Sequence, residues 1–292
     1  MNILVTGAGG QLGKALRSIS EISGHKCFFT DIRPADDVMA LDITDAAAVG
    51  YMLDSNSVDL VVNCAAYTDV ERAEADEDNA FKVNAYAVGV IAREVACRNL
   101  SLIHISTDYV FDGKANIPYK EDSLPDPLNV YARTKLEGEK MVEASGCRHL
   151  IIRTAWLYSC SGRNFYNTIV EKTASSSEMK VVVDQVGTPT YAPDLAQAIF
   201  HIADRWTDGH SGVYNYSGLG VCSWFDFAVA IRDAVGHICH ITPCLSSEFP
   251  SKARRPHYSV LDKTRIMKDF DLDIPHWTES LRICVMDYEG GR

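Results

Sequence analysis

The sequence predicts a doubly wound α/β sheet, and three observations carry that prediction. Short β-rich runs alternate with helix-like stretches through the first half of the 292 residues, the runs are apolar throughout, and a glycine turn joins the first run to the first helix. Strands buried on both faces read as unbroken apolar runs. Strand, helix, strand at this spacing winds right-handed into a parallel sheet with helices on both sides.

The expected strands are "NILVTG" (2–7), "KCFFTD" (26–31), "LVVNCAA" (60–66), "LIHIST" (102–107) and "LIIRTAW" (150–156). Helices are expected near 11–20, 45–54, 79–98 and 130–144. After Trp156 the rhythm loosens, with more Pro and Gly, helices near 163–175, 193–205 and 223–235, and short strands near 180–184 and 212–216. No repeat or flexible linker interrupts the chain. The expected division is therefore 1–157 for the sheet domain, with part of 186–210 packing back on it, and 158–185 with 211–292 as a smaller C-terminal α/β lobe. The acidic run "DVERAEADEDN" (69–79) reads as a solvated helix face and loop.

A net charge of −11 opposes binding to nucleic acid or to an anionic membrane. Small molecules or protein are the expected partners. Nine cysteines without CxxC spacing suit reduced thiols in a cytoplasmic protein. "MNILVTGAGG" has no basic leader, and no apolar run reaches transmembrane length. "GHICHITPC" gathers His237, Cys239, His240 and Cys244, but as a short strand it would send the two histidines to opposite faces, so no metal site is expected.

"LVTGAGGQLGKAL" places Gly7, Gly10 and Gly13 between the first strand and the first helix. Glycines there let backbone approach a pyrophosphate, and the helix N-terminus offers N–H groups and partial positive charge. The second strand ends at Asp31, 18 residues after Gly13, where a carboxylate accepts the ribose hydroxyls of a dinucleotide. This is the signature of a Rossmann-type sheet. Arg33 follows closely and could meet a 2′-phosphate, so the signals for NADH and NADPH conflict and dual use is expected. Asp42 in "LDIT" and the small residues of "CAAYTD" fall at strand ends on the same crevice. The expected cofactor contacts are Gly7, Gly10, Gln11, Leu12, Gly13, Asp31, Ile32, Asp42, Ile43, Ala65, Ala66 and Tyr67, with Tyr131 and Lys135.

"LIHIS" delivers Ser106, Thr107 and Asp108 to the sheet edge, and Tyr131 and Lys135 follow one turn apart on a helix. A nearby ammonium is expected to bring the phenol towards working range, while Thr107 holds a carbonyl oxygen. Lys135 can also hydrogen-bond a nicotinamide ribose. Thr107, Tyr131 and Lys135 are the expected catalytic residues of a carbonyl-reduction site.

With these residues the chain resembles the extended short-chain dehydrogenase/reductases, whose signature is the glycine turn plus Ser/Thr, Tyr and Lys. Within them it is similar to the dTDP-4-dehydrorhamnose reductase family, through "VVNCAAYTDVERAE", "FKVNA", "HISTDYVFDG", "YARTKLEGE", "RTAWLYS", "GRNFYNTI", "DQVGTPTYAPDLA" and "ARRPHYSVLD". These motifs run in order over nearly the whole chain. The resemblance implies hydride transfer from NADPH or NADH to C4 of dTDP-4-dehydro-6-deoxy-L-mannose, with Tyr131 giving the proton. It also implies that Thr107, Asp108, Tyr131 and Trp156 face the sugar, that Asn84 supports the polar network, and that Asn164, Gln185 and Arg255 grip the nucleotide sugar. Guanidinium matches phosphate oxygens, which suits Arg255 to a diphosphate.

Enzymes resembling this one that dehydrate nucleotide sugars carry Thr-Asp-Glu where this chain has Thr107, Asp108 and Tyr109, so dehydration is disfavoured. Reduction of another nucleotide sugar, C4 epimerisation, and a non-catalytic dinucleotide-binding regulatory subunit stay open as alternatives. Some family members dimerise through metal-bridging glutamates, one of them in the first helix. Ala15 stands there here, so a monomer or weak homodimer is expected.

Overall fold

Residues 1–35, 37–249 and 251–290 are described by the structure, a computed structural model. The sheet domain opens with β1 (Asn2–Thr6), α1 (Gln11–Ile19), β2 (Lys26–Asp31), β3 (Met39–Ala40), α2 (Ala46–Ser55) and β4 (Leu60–Asn63). It continues through α3 (Val70–Ala73), α4 (Glu77–Phe81), α5 (Ala87–Cys97), β5 (Ser101–Thr107), α6 (Val130–Ala144) and β6 (Arg148–Thr154). Then follow β7 (Leu157–Tyr158), α7 (Phe165–Ser175), β8 (Glu178–Val182), β9 (Val186–Gly187), β10 (Thr190–Tyr191), α8 (Ala192–Arg205) and β11 (Gly212–Tyr216). The chain ends with β12 (Cys222–Ser223), α9 (Trp224–Ala234), β13 (His240–Cys244), α10 (Thr264–Phe270) and α11 (Trp277–Gly290).

Seven parallel strands run in the order β11-β6-β5-β4-β1-β2-β3. The order reverses between β1 and β4, so a crevice opens at their carboxyl ends, where ligands of such sheets collect. Alternate residues of each strand feed opposite cores. Ile3, Val5, Ile103 and Ile152 pack with Leu16 of α1 and Ile199 of α8. Leu4, Val61, Leu102 and Ile151 pack with Val49 of α2, Val88 of α5 and Val142 of α6. A separate core of Tyr158, Tyr166, Phe227, Ile231 and Trp277 holds the smaller lobe. Side-chain caps fix several helix starts: Asp45 accepts from Ala47 and Ala48, Asn129 from Ala132, and Ser223 forms a capping box with Asp226.

The structure corrects three expectations. The division at 211 fails at β11, which pairs with β6 from Gly212↔Leu150 to Tyr216↔Thr154, and at α10, whose Ile266 and Phe270 join the core under the sheet. Both belong to the sheet domain, because β6 would otherwise be a bare edge. The helix expected over 79–98 is α4 and α5 joined by a π turn at Lys82–Tyr86. Finally, β13 begins at His240, so His237 lies outside the strand and hydrogen-bonds Thr173 Oγ1 at 2.9 Å. Among the described residues, no group of His, Cys, Asp and Glu is placed to hold a metal, and no helix is long and apolar enough to cross a membrane.

Candidate active site

The crevice is a cleft of about 1050 Å³. Its floor is the glycine turn. Gly7 has φ +69°, and a Cβ there would lie 2.6 Å from the Ala65 Cα. A Cβ on Gly13 would lie 2.4 Å from the Gly7 carbonyl oxygen. Both positions therefore demand glycine, and α1 starts beneath a cradle of backbone with no side chain capping it. The cradle and its unblocked helix N-terminus fit a pyrophosphate.

At the rim, Asp31 Oδ2 accepts from the Gly9 amide at 3.0 Å, which fixes the carboxylate beside the turn, and Arg33 lines the same wall. Ile32 and Ile43 line it as well. Asp42 accepts from the Thr44 amide (2.9 Å) and hydroxyl (2.7 Å), and these bonds hold its carboxyl below the usual range. Gln11, Leu12, Ala65, Ala66 and Tyr67 complete the lining expected for a cofactor. Behind them, buried Asn84 accepts from the Tyr67 amide (2.8 Å) and donates to the Tyr67 carbonyl (3.0 Å) and Thr134 Oγ1 (3.1 Å). The π turn aims Asn84 at this loop, so its role is to set backbone.

Thr107, Tyr131 and Lys135 converge on the opposite wall. Asn129 caps α6 and so fixes where Tyr131 and Lys135 project. The expected influence of Lys135 on the phenol is not what the geometry produces. Burial pushes Tyr131 up to about 12, with the Asp108 carboxylate adding to that and the Thr107 hydroxyl opposing it. Lys135 instead donates to the Ile105 carbonyl at 2.7 Å, and burial pulls its ammonium down to about 8 against the opposing pull of Glu139. The phenol is thus protonated at neutral pH, the state a proton donor needs.

Asp108 is buried and accepts from Thr107 Oγ1 at 3.1 Å. Burial raises the carboxyl to about 7, against the opposing hydrogen bonds of Ser259 and Thr107. A raised acid binds its proton more tightly in the folded state, so it costs stability progressively between an ordinary carboxyl's 3.8 and about 7. Asp108→Asn is expected to raise Tm by several degrees near pH 8 and by much less near pH 4. Equal shifts by calorimetry at both pH values would count against the desolvated carboxylate.

Trp156 adopts φ +47° and stacks on Trp224 with centroids 3.5 Å apart. A Cβ on Gly187 would lie 2.6 Å from its indole, so glycine there makes room for the ring. The three residues expected to grip a nucleotide sugar are placed differently. Asn164 caps α7 and donates to Gln11 Oε1 (2.8 Å) and the Ser159 carbonyl (2.9 Å), tying the lobe's entry loop to the glycine turn. Gln185 lies outside the cleft, in an adjoining cavity of about 810 Å³, where it donates to Ser246 Oγ at 2.8 Å. Arg255 lines both spaces, but its guanidinium pairs with Glu71 at 2.7 Å. The acidic run is therefore not simply solvated: Glu71 holds the Arg255 loop, and Glu74 accepts from the Val130 amide at 2.8 Å.

Sequence reasoning missed Glu139 and Arg153. Register pairs Ser106 with Arg153 across β5 and β6, and both reach Glu139 on α6. Arg153 Nη2 lies 2.7 Å from Glu139 Oε2, both side chains are buried, and the Ser106 hydroxyl also donates to Glu139. The only trace in the sequence is that Glu139 follows Lys135 by one helical turn.

The RmlD substrate binding domain family matches residues 1–289. A dTDP-4-dehydrorhamnose reductase of Aggregatibacter actinomycetemcomitans is 34% identical over 96% of this chain and 97% of its own length. The crystal structure of a dTDP-4-dehydrorhamnose reductase from Clostridium acetobutylicum superposes with a TM-score of 0.91 at 38% identity, covering 99% of this chain and 100% of that one. Another from Bacillus anthracis, solved in complex with NADP, gives 0.91 at 32% identity over 98% and 99%. The chain belongs to the RmlD family of dTDP-4-dehydrorhamnose reductases and is an oxidoreductase.

Proposed function

We propose that the protein reduces the C4 keto group of dTDP-4-dehydro-6-deoxy-L-mannose to dTDP-L-rhamnose, using NADPH or NADH. The observation that carries this reading is a protonated phenol, Tyr131, half-buried beside Thr107 in the same cleft as a glycine cradle. The dinucleotide, when bound on that cradle, supplies the hydride. Thr107 holds the substrate carbonyl oxygen, Tyr131 gives its proton to the alkoxide that forms there, and Lys135, anchored on the Ile105 carbonyl, holds the nicotinamide ribose. Trp156 closes the sugar side and excludes water. In this reading Arg255, held by Glu71 and lining both spaces, binds the diphosphate, and the nucleotide occupies the adjoining cavity beside Gln185.

The test is NADPH and NADH oxidation with the substrate made in situ from dTDP-glucose by the upstream dehydratase and epimerase. Oxidation dependent on both enzymes, with dTDP-L-rhamnose as product, supports the assignment; dinucleotide binding without oxidation overturns it in favour of a different nucleotide sugar or a non-catalytic subunit. The same assay reads cofactor choice. Because Asp31 is fixed beside the cradle, Asp31→Ala is expected to move the NADPH:NADH ratio of kcat/KM towards NADPH by roughly tenfold or more. An unchanged ratio would remove Asp31 from cofactor choice.

A further inference from the structure

Lys135 and Glu139 stand one turn apart on the buried face of α6, and each is about 2% exposed. Lys135 Nζ is fixed on the Ile105 carbonyl. The next residue of β5, Ser106, donates to Glu139, and the β6 residue in register with it, Arg153, binds the same carboxylate through Nε and Nη2. Arg153 is itself anchored to the Glu121 carbonyl (3.2 Å) and sits over the Phe111 ring at 5.2 Å. The catalytic wall therefore contains a buried cation, a buried anion and a second buried cation. A pair alone would be neutral; with Lys135 included the buried group carries one net positive charge.

We propose that Glu139 is a positioning residue for Lys135: fixed by Arg153 and Ser106, its carboxylate is the counter-charge that keeps the buried Lys135 ammonium charged beside Tyr131. Two buried charges one turn apart interact through a medium far less screening than water. Arg153 and Ser106 fix the carboxylate in place one turn from Lys135, so that it acts on Lys135 in turn. The other groups facing Lys135 are weaker candidates. Cys64, from the end of β4, is a protonated thiol that burial raises to about 12, and His104 of β5 is driven to its neutral form by burial and by Lys135 itself. Tyr131 stays protonated. That leaves Glu139 as the anion on this side of Lys135, and burial lowers the ammonium only to about 8 in its presence.

The proposal rests on the functional reading above for the importance of the ammonium, but its test does not need turnover. The titration of Lys135 is read by NMR in protein labelled with 15N and 13C lysine, assigned by loss of the signal in Lys135→Met. In Glu139→Gln the midpoint is expected to fall by roughly one pH unit or more, a tenfold smaller charged fraction at a given alkaline pH. That variant strands Arg153, and removing one partner of a buried pair is strongly destabilising. The double variant Glu139→Gln/Arg153→Met removes both charges of the pair and keeps the volume, so it tests the proposal if the single variant does not fold. A double variant whose Lys135 titrates below that of Arg153→Met supports Glu139 as the counter-charge. A double variant that titrates as Arg153→Met does overturns it and leaves Glu139 as a partner of Arg153 alone. In the reductase assay the alkaline limb of kcat moves down with the same midpoint. Absence of turnover in the wild type would overturn the functional reading and leave the NMR result standing.

Discussion

Tyr131→Phe lowers turnover by roughly two to four orders of magnitude and leaves dinucleotide binding close to wild type. The substitution removes one oxygen from a half-buried ring that packs edge-on against Tyr109, with centroids 6.3 Å apart, so the wall keeps its shape. What is lost is the proton. Burial keeps the phenol protonated at neutral pH, and among the residues at this wall no other group is as well suited to deliver it. Asp108 titrates near 7 but is committed through Oδ1 to Thr107. The loss belongs in kcat, because a group that acts on the developing alkoxide works in the transition state and not in ground-state binding. Stopped-flow or steady-state turnover, with dinucleotide Kd by fluorescence, checks both halves. Turnover within about threefold of wild type would remove Tyr131 as the donor.

Gly138→Ala is the second large effect, and its sign runs against helix propensity. Alanine in a helix interior is ordinarily favoured over glycine by about 1 kcal/mol. On α6, however, the new methyl would lie 2.1 Å from the Asn84 carbonyl oxygen, so helix and π turn must part. Overpacking of this kind costs about 1–3 kcal/mol and here exceeds the propensity gain, since the obstacle is backbone. A net loss of about 1–2 kcal/mol in urea unfolding is expected. Gly89→Ala on α5 is the comparison: its methyl would meet side-chain atoms at 3.3–3.4 Å, which can shift, and near-neutral stability is expected. If both variants are equally stable, the close approach of α6 to the π turn is not limiting. Turnover in Gly138→Ala should also fall, because α6 carries Tyr131 and Lys135.

What could be read from the sequence was whatever one local stretch decides. The glycine turn, the strand ending in Asp31 and the Tyr131–Lys135 spacing each sit within one strand-turn or one helix, and the structure brings all of them to the same cleft. The π turn escaped because "FKVNAYAVG" has the composition of a continuous helix, and only packing of Asn84 against Tyr67 and Thr134 gives it a reason to widen. Glu139 and Arg153 escaped because their meeting depends on the register of β5 against β6. Arg255 was legible as part of a basic loop in an acidic chain. That Glu71, far away in sequence, would hold it was not.

The return of the chain to the sheet has a consequence for modularity. After β6 the backbone leaves for the lobe, comes back with α8 and β11, leaves again through β12 and α9, returns once more with α10, and goes back to the lobe core with α11. A splice after residue 157 would strip the sheet of its outer strand and of α8 and α10, leaving α1 to cover that face without them. The cofactor half is therefore not a transplantable cassette. Lobes cannot be exchanged between relatives by a single crossover, and a chimaera that folds needs a junction at each of the five places where the chain crosses between the two cores.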